Sequence, residues 1–109
     1  MATENPLLSC TGFDWDEGNA TKNRERHQVS SAECEEVFFL APLVLEDTTH
    51  SQDERRYLAL GETLAGRRLF VAFTVRSDRI RVISARAMSR RERRAYERKQ
   101  EEGQGFAEA

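Results

Sequence analysis

The chain has 109 residues, 39% of them apolar and 33% charged, with a formal net charge of −2. This length leaves room for one domain with one core, the balance excludes a disordered chain, and the lack of any long apolar run excludes a membrane-spanning helix. The near-neutral total hides an asymmetry: residues 1–50 carry ten acidic and three basic side chains, whereas residues 67–99 carry twelve basic ones against Asp78, Glu92 and Glu97.

Residues 1–12 read as an irregular tail, since Pro6, Ser9, Thr11 and Gly12 give no period. The opening MATENPLLSC has no basic start and no apolar stretch, so it is not a signal peptide. Residues 13–16 alternate apolar and acidic side chains, as in a brief strand. Residues 17–27 are polar helix formers with Ala20 as the lone apolar member, so a helix there rests on propensity. Ser30 and Glu33 form a capping box, with Val29 and Cys34 spaced as a hydrophobic staple. The helix they open runs to about Leu40, turns Val37 and Phe38 inward, and stops before Pro42.

Beyond Pro42 the period changes to two. Residues 43–45 make a short strand, and residues 46–53 a polar loop carrying Asp47, His50 and Ser51. Residues 55–63 alternate, with Tyr57, Ala59 and Gly61 on one face and Leu58 and Leu60 on the other. After a turn at Ala65-Gly66, residues 68–75 form a continuous apolar strand that belongs at the centre of a sheet. Ser77-Asp78 turns the chain into residues 79–85, which alternate again: Ile80, Val82 and Ser84 on one side, Arg79, Arg81, Ile83 and Ala85 on the other. Arg86 then falls just past the strand end. Ser89 and Glu92 are a second capping box, opening a helix over residues 90–102 that Gly103 and Gly105 end. The fold class is α+β: a small antiparallel sheet, or meander, flanked by two N-terminal helices and one C-terminal helix.

The basic later half suits a polyanion. Arg76, Arg79, Arg81 and Arg86 can line one surface and grip phosphates bidentately, unless the acidic first half pairs with them inside the fold. Arg90 and Arg93 on the last helix extend the same candidate RNA-binding set. His27 and His50 are of the type that titrates near neutrality and serves acid–base chemistry. Each also has a structural role open to it: His27 at a helix C-terminus and His50 as a loop cap. Glu54 is either a base or an arginine's ion-pair partner. Tyr96 could stack on a base, but anchoring the last helix is favoured, because that helix has little else to bury. Cys10 and Cys34 lack metal-ligand spacing, so no zinc site and no cofactor are expected, and the setting is a reducing cytoplasm. No nucleophile elbow, phosphate-cradling glycine loop or two-metal carboxylate cluster occurs.

Several segments together resemble the BrnT toxins. They are Phe13-Asp14-Trp15-Asp16, Asn19, Asn23, His27, Val29-Ser30, Glu33 and Val37-Phe38, followed by Asp47, His50-Ser51 and Glu54-Arg55. Gly61, Gly66-Arg67, Phe73-Thr74, Arg76, residues 80–86, Glu92-Arg93 and Tyr96 complete the set. The resemblance implies a toxin domain over residues 13–102, with tails at 1–12 and 103–109, and a RelE-like fold. It implies a metal-independent endoribonuclease that cuts RNA and stops translation. It also implies a BrnA-type antitoxin with a ribbon-helix-helix region, through which the complex represses its operon. The implied catalytic candidates are His27, His50, Glu54, Arg81 and Arg86. Arginines 81 and 86 would hold the scissile phosphate, one histidine would act as acid or base, and Glu54 would orient it. The chain departs from the family at Arg26-His27-Gln28, where Lys-His-Gly is usual; the missing glycine is one suited to ending a helix. Two other readings stay open: a non-catalytic module binding nucleic acid, and a basic face made to receive an acidic partner segment.

Overall fold

A computed structural model of the protein describes residues 5–107. A 3₁₀ turn at Pro6–Ser9 leads into strand β1 (Gly12–Phe13), then helices α1 (Glu17–His27) and α2 (Ser31–Phe39). Strands β2 (Leu43–Glu46), β3 (Tyr57–Glu62), β4 (Arg68–Arg76) and β5 (Arg79–Ala87) follow, and helix α3 (Arg90–Ala107) closes the chain. The five strands lie in the order β1-β5-β4-β3-β2. The β2–β5 run is the antiparallel meander the alternation predicts, and β4 is the middle strand of the five. β1 adds to β5 in parallel, pairing Gly12 with Arg79 and Phe13 with Ile80.

The sheet has two working faces. On one, Val29, Cys34, Val37 and Phe38 from the α2 region pack on Ala59, Leu69, Val71, Phe73, Ile80, Val82 and Ala85. The capping box is formed, and the staple residues Val29 and Cys34 are both fully buried. Gly61 lets α2 sit directly on β3, because a Cβ there would lie 3.0 Å from Val37 Cγ1 and 3.3 Å from Pro42 Cβ. On the other face α3 covers Leu60, Leu58 and Phe70 with Tyr96, which is buried and anchors the helix.

α1 is held differently. Its buried side chains are Asn19 and Asn23. Past its pairing with β1, β5 has an open edge, and these amides occupy it. Asn19 Nδ2 donates to Val82 O (3.0 Å), and Asn23 Oδ1 accepts from Ala85 N (3.0 Å). Side-chain amides thus satisfy the edge groups a further strand would have taken.

Four sequence expectations need correction. The strand expected over 13–16 ends at Phe13, because Asp16 is taken as the N-cap of α1, accepting from Asn19 N. β5 carries a bulge: Phe73 pairs with Val82 and Ala72 with Ser84, leaving Ile83 extra. Alternation therefore slips, and Ala85 joins Ile80 and Val82 in the core while Ser84 moves to the other face. Arg86, expected past the strand end, lies within β5. α3 continues through Gly103 and Gly105, since a glycine weakens a helix by about 1 kcal/mol without breaking it. The tails expected at 1–12 and 103–109 fall partly outside the described residues. Of the first, Leu7 and Cys10 pack against the core.

Because α3 covers only one half of its face, the other half of β4 and β5 stays open. There the register sets Thr74 beside Arg81 and Arg76 beside Arg79.

Candidate active site

The open half-face is bordered by the N-terminus of α1 on one side and the loop between β2 and β3 on the other. That loop is closed by its own hydrogen bonds. Asp47 N donates to Arg56 O (2.8 Å), Ser51 Oγ to Asp47 O (2.6 Å), and Arg56 N to Ser51 Oγ (2.9 Å). Thr74 Oγ, on β4, donates to Arg55 O at 2.7 Å and pins the loop's end to the sheet. The result is a groove of about 790 Å³ whose walls include Asp16, Lys22, Glu54, Arg56, Arg76 and Arg81. A neighbouring groove of about 370 Å³ is lined by His50, Gln52, Asp53, Glu54 and Arg56. Glu54 and Arg56 belong to both.

Electrostatics in the first groove is that of cations holding carboxylates. Arg76 Nε donates to Glu54 Oε2 at 3.0 Å. Arg81 reaches Asp16 at 2.8 Å and Asp14 at 3.5 Å. The Arg76 guanidinium holds Glu54 below the usual carboxylate range, with Arg56 and Arg81 adding to the effect. Asp16 is lowered first by the Asn19 backbone N–H and then by Arg81. In the second groove, His50 Nδ1 lies 2.8 Å from Asp47 Oδ2, a contact that lowers the Asp47 carboxyl and orients the ring.

The remaining sequence candidates lie elsewhere. Arg86 shares the sheet face but sits at its α3 end, bidentate to Glu92 (2.8 Å each) and 4.3 Å above the Phe70 ring. It lines neither groove. His27 is exposed at the far end of α1, about 16 Å along the helix from the groove-side N-cap. Its carbonyl accepts from Arg67, which also bonds Gln28 O (2.7 Å) and Glu33, so this corner is a structural joint. Gln28 there adopts the left-handed conformation (φ 55°) that a glycine would favour. Arg79 flanks Arg76, while Arg90 and Arg93 are exposed on α3; none of the three has an ion pair among the described residues.

Sequence reasoning missed Arg56, Lys22 and Asp16 as parts of this groove, and Asp14 as the second acidic partner of Arg81. Arg56 was within reach, because it stands two positions after Glu54, at the start of the segment whose alternation reads as a strand. The acidic pair was not, because its meeting with Arg81 depends on β1 lying along β5. No group of three His, Cys, Asp or Glu among the described residues is placed to hold a metal ion.

Fold and groove together define a class: a small α+β domain whose open sheet face gathers arginines around a few carboxylates. The sequence model of the BrnT ribonuclease toxins of type II toxin-antitoxin systems matches residues 15–92, and the chain belongs to that family. The 1.1 Å crystal structure of the Brucella abortus ribonuclease toxin BrnT is similar, with a TM-score of 0.56 and 26% identity, over 72% of this chain and 97% of that one. No curated protein matches. The protein is thus a ribonuclease toxin of a toxin-antitoxin system, with RNA as its substrate class and an antitoxin as its partner. No helix among the described residues is long and apolar enough to cross a membrane.

Proposed function

We propose that this toxin is a metal-independent endoribonuclease that cuts RNA in the groove holding Arg76, Arg81 and Glu54, halting translation in the cytoplasm. The observation that carries this reading is the meeting of those three side chains on the open half-face, within the matched family region. RNA brings its own nucleophile. Glu54, kept ionised by Arg76, takes the proton of a 2′-hydroxyl; that oxygen bonds to phosphorus, and the bond from phosphorus to the 5′-oxygen breaks. Arg76 and Arg81 neutralise the charge building on the phosphoryl oxygens. His50, across Glu54 in the adjoining groove, returns a proton to the leaving oxygen. Arg79, Arg90 and Arg93 attract the flanking backbone, and Arg86 holds the α3 wall.

The ion pairs of Arg76 and Arg81 do not block this chemistry. Both carboxylates are about half exposed and screened by water, so a phosphate can replace either one at its arginine. A BrnA-type antitoxin with a ribbon-helix-helix region would inhibit by covering the groove, and the pair would meet operator DNA through that region.

The test is cleavage of single-stranded RNA by purified protein with a chelator present. The wild type yields 2′,3′-cyclic phosphate ends. Arg81→Ala and Glu54→Gln each lose roughly 100-fold or more in kcat, and His27→Ala, outside the groove, retains cleavage. Equal cutting by Arg81→Ala and the wild type removes the site assignment. The pairing of Arg76 and Arg81 with carboxylates favours a second reading, a binding module, and RNA retention without cleavage products would select it.

A further inference from the structure

We infer that Arg56 is a phosphate-gripping residue that binds an RNA backbone phosphate next to the one that is cut, so that the substrate strand must run through both grooves. The inference rests on the cleavage site proposed above. Arg56 lines the larger groove and its neighbour, so it stands on the ridge a strand crosses in passing between them. Arg76 and Arg81 are engaged by carboxylates, whereas Arg56 has no ion pair among the described residues and is exposed. It is the guanidinium of this groove that is free to take a phosphate without giving up a partner.

Its backbone is fixed, which makes it a directed cation. Arg56 N is held by Ser51 Oγ at 2.9 Å, and Arg56 O accepts from Asp47 N at 2.8 Å. Tyr57, the next residue, begins β3, so the sheet sets the direction in which residue 56 leaves the backbone. None of these bonds uses the Arg56 side chain. Replacing it therefore removes the cation and keeps the loop.

Arg55 supplies an internal control. It is adjacent, exposed, equally charged and without an ion pair among the described residues, but it lines neither groove. Its tie to the fold is its carbonyl, bonded by Thr74 Oγ. Arg55→Ala and Arg56→Ala thus change the net charge by the same amount at neighbouring points.

The experiment compares both variants with the wild type on two probes. One is a set of single-stranded RNAs lengthened a nucleotide at a time on each side of one cleavable linkage. The other is a 2′-O-methyl oligonucleotide of the same sequence, which cannot be cut. Arg56→Ala should weaken binding of the uncuttable strand roughly tenfold, the scale of one charge-assisted hydrogen-bonded contact. The slope of log K against log salt should fall by about 0.7, one phosphate's share for a single strand. In cleavage the loss should appear in KM more than in kcat, and the gain from extending the RNA on one side should vanish. Arg55→Ala should shift binding by less than about twofold, the scale of a screened exposed charge. Equal losses in the two variants would mean only the general field of the protein and would overturn the inference. So would Arg56→Ala binding the uncuttable strand as the wild type does. If the wild type fails to cut any RNA, the proposed cleavage site falls, while the binding comparison still decides whether Arg56 grips a phosphate.

Discussion

α1 depends on two amides, and Asn23→Ala measures how much. Asn23 is 1% exposed, and its Oδ1 is the acceptor for the buried Ala85 N–H at 3.0 Å. Its Nδ2 donates to Asn19 O at 2.8 Å, linking it to the other amide that reaches β5. Alanine strands the Ala85 N–H away from water, at a cost of about 1–3 kcal/mol, and adds the loss of the second bond at about 1 kcal/mol. α1 has no buried apolar side chain to offset this, so the expected loss is about 2–4 kcal/mol in all. In urea the unfolding midpoint should fall by about 1–2 M with an unchanged slope. Lys22→Ala is the comparison: Lys22 is exposed, its contact with Ile83 O is long at 3.5 Å, and its removal should cost within about 0.5 kcal/mol. A loss below about 0.5 kcal/mol for Asn23→Ala would refute the argument, since α1 would then be held by something other than its amides.

Gln28→Gly should stabilise the fold by up to about 1 kcal/mol, because it relieves a side chain held at φ 55°; a lower melting temperature would count against this. Acid should destabilise the protein. Glu33 is lowered chiefly by the Ser30 backbone N–H, Glu54 by Arg76 and Glu92 by Arg86, so each has a folded pKa below its unfolded value. Their stabilisation is complete above the unfolded pKa of about 4.3 and is lost as pH falls through the lowered folded values. Urea midpoints should therefore drop steeply below about pH 4.5, and a rise on acidification would contradict the sign. Burial pushes the Cys34 thiol up to about 12, so a thiol reagent at mildly alkaline pH should label Cys34 only upon unfolding. Labelling of Cys34 in the native protein at the rate of a free thiol would show that the α2 core opens.

What the sequence revealed followed the range of the interactions. Capping boxes at Ser30–Glu33 and Ser89–Glu92 are local, and both form as spelled. Alternation over residues 57–61 assigns Tyr57 and Ala59 to one core and Leu58 and Leu60 to the other, as observed. The bulge at Ile83 was hidden, because an extra residue in one strand is defined only against its partner. The same limit applied to the groove. Glu54 and Arg76 are 22 residues apart, and Arg81 and Asp16 are 65 apart. A single chain's spelling does not say which arginine meets which carboxylate.

The charge asymmetry takes on a specific meaning once those pairings are known. Part of the acidic first half crosses to the basic second half: Glu33 to Arg67, and Asp14 and Asp16 to Arg81. Arginines paired away from the groove tie elements together, as Arg67 does for α1 and α2 and Arg86 for β5 and α3. Those in the groove hold carboxylates that are about half exposed, with Glu54 at 42% and Asp16 at 53%. An anion at such a depth is screened by water, and a phosphate entering the groove competes with it on nearly equal terms. The groove carboxylates thus do two things with one geometry. They offset the charge that Arg76, Arg81 and the neighbouring Arg79 would otherwise set against one another across the sheet. In the cleavage proposed above, a phosphate taking their place would leave Glu54 beside it within the same walls, where that mechanism needs its base.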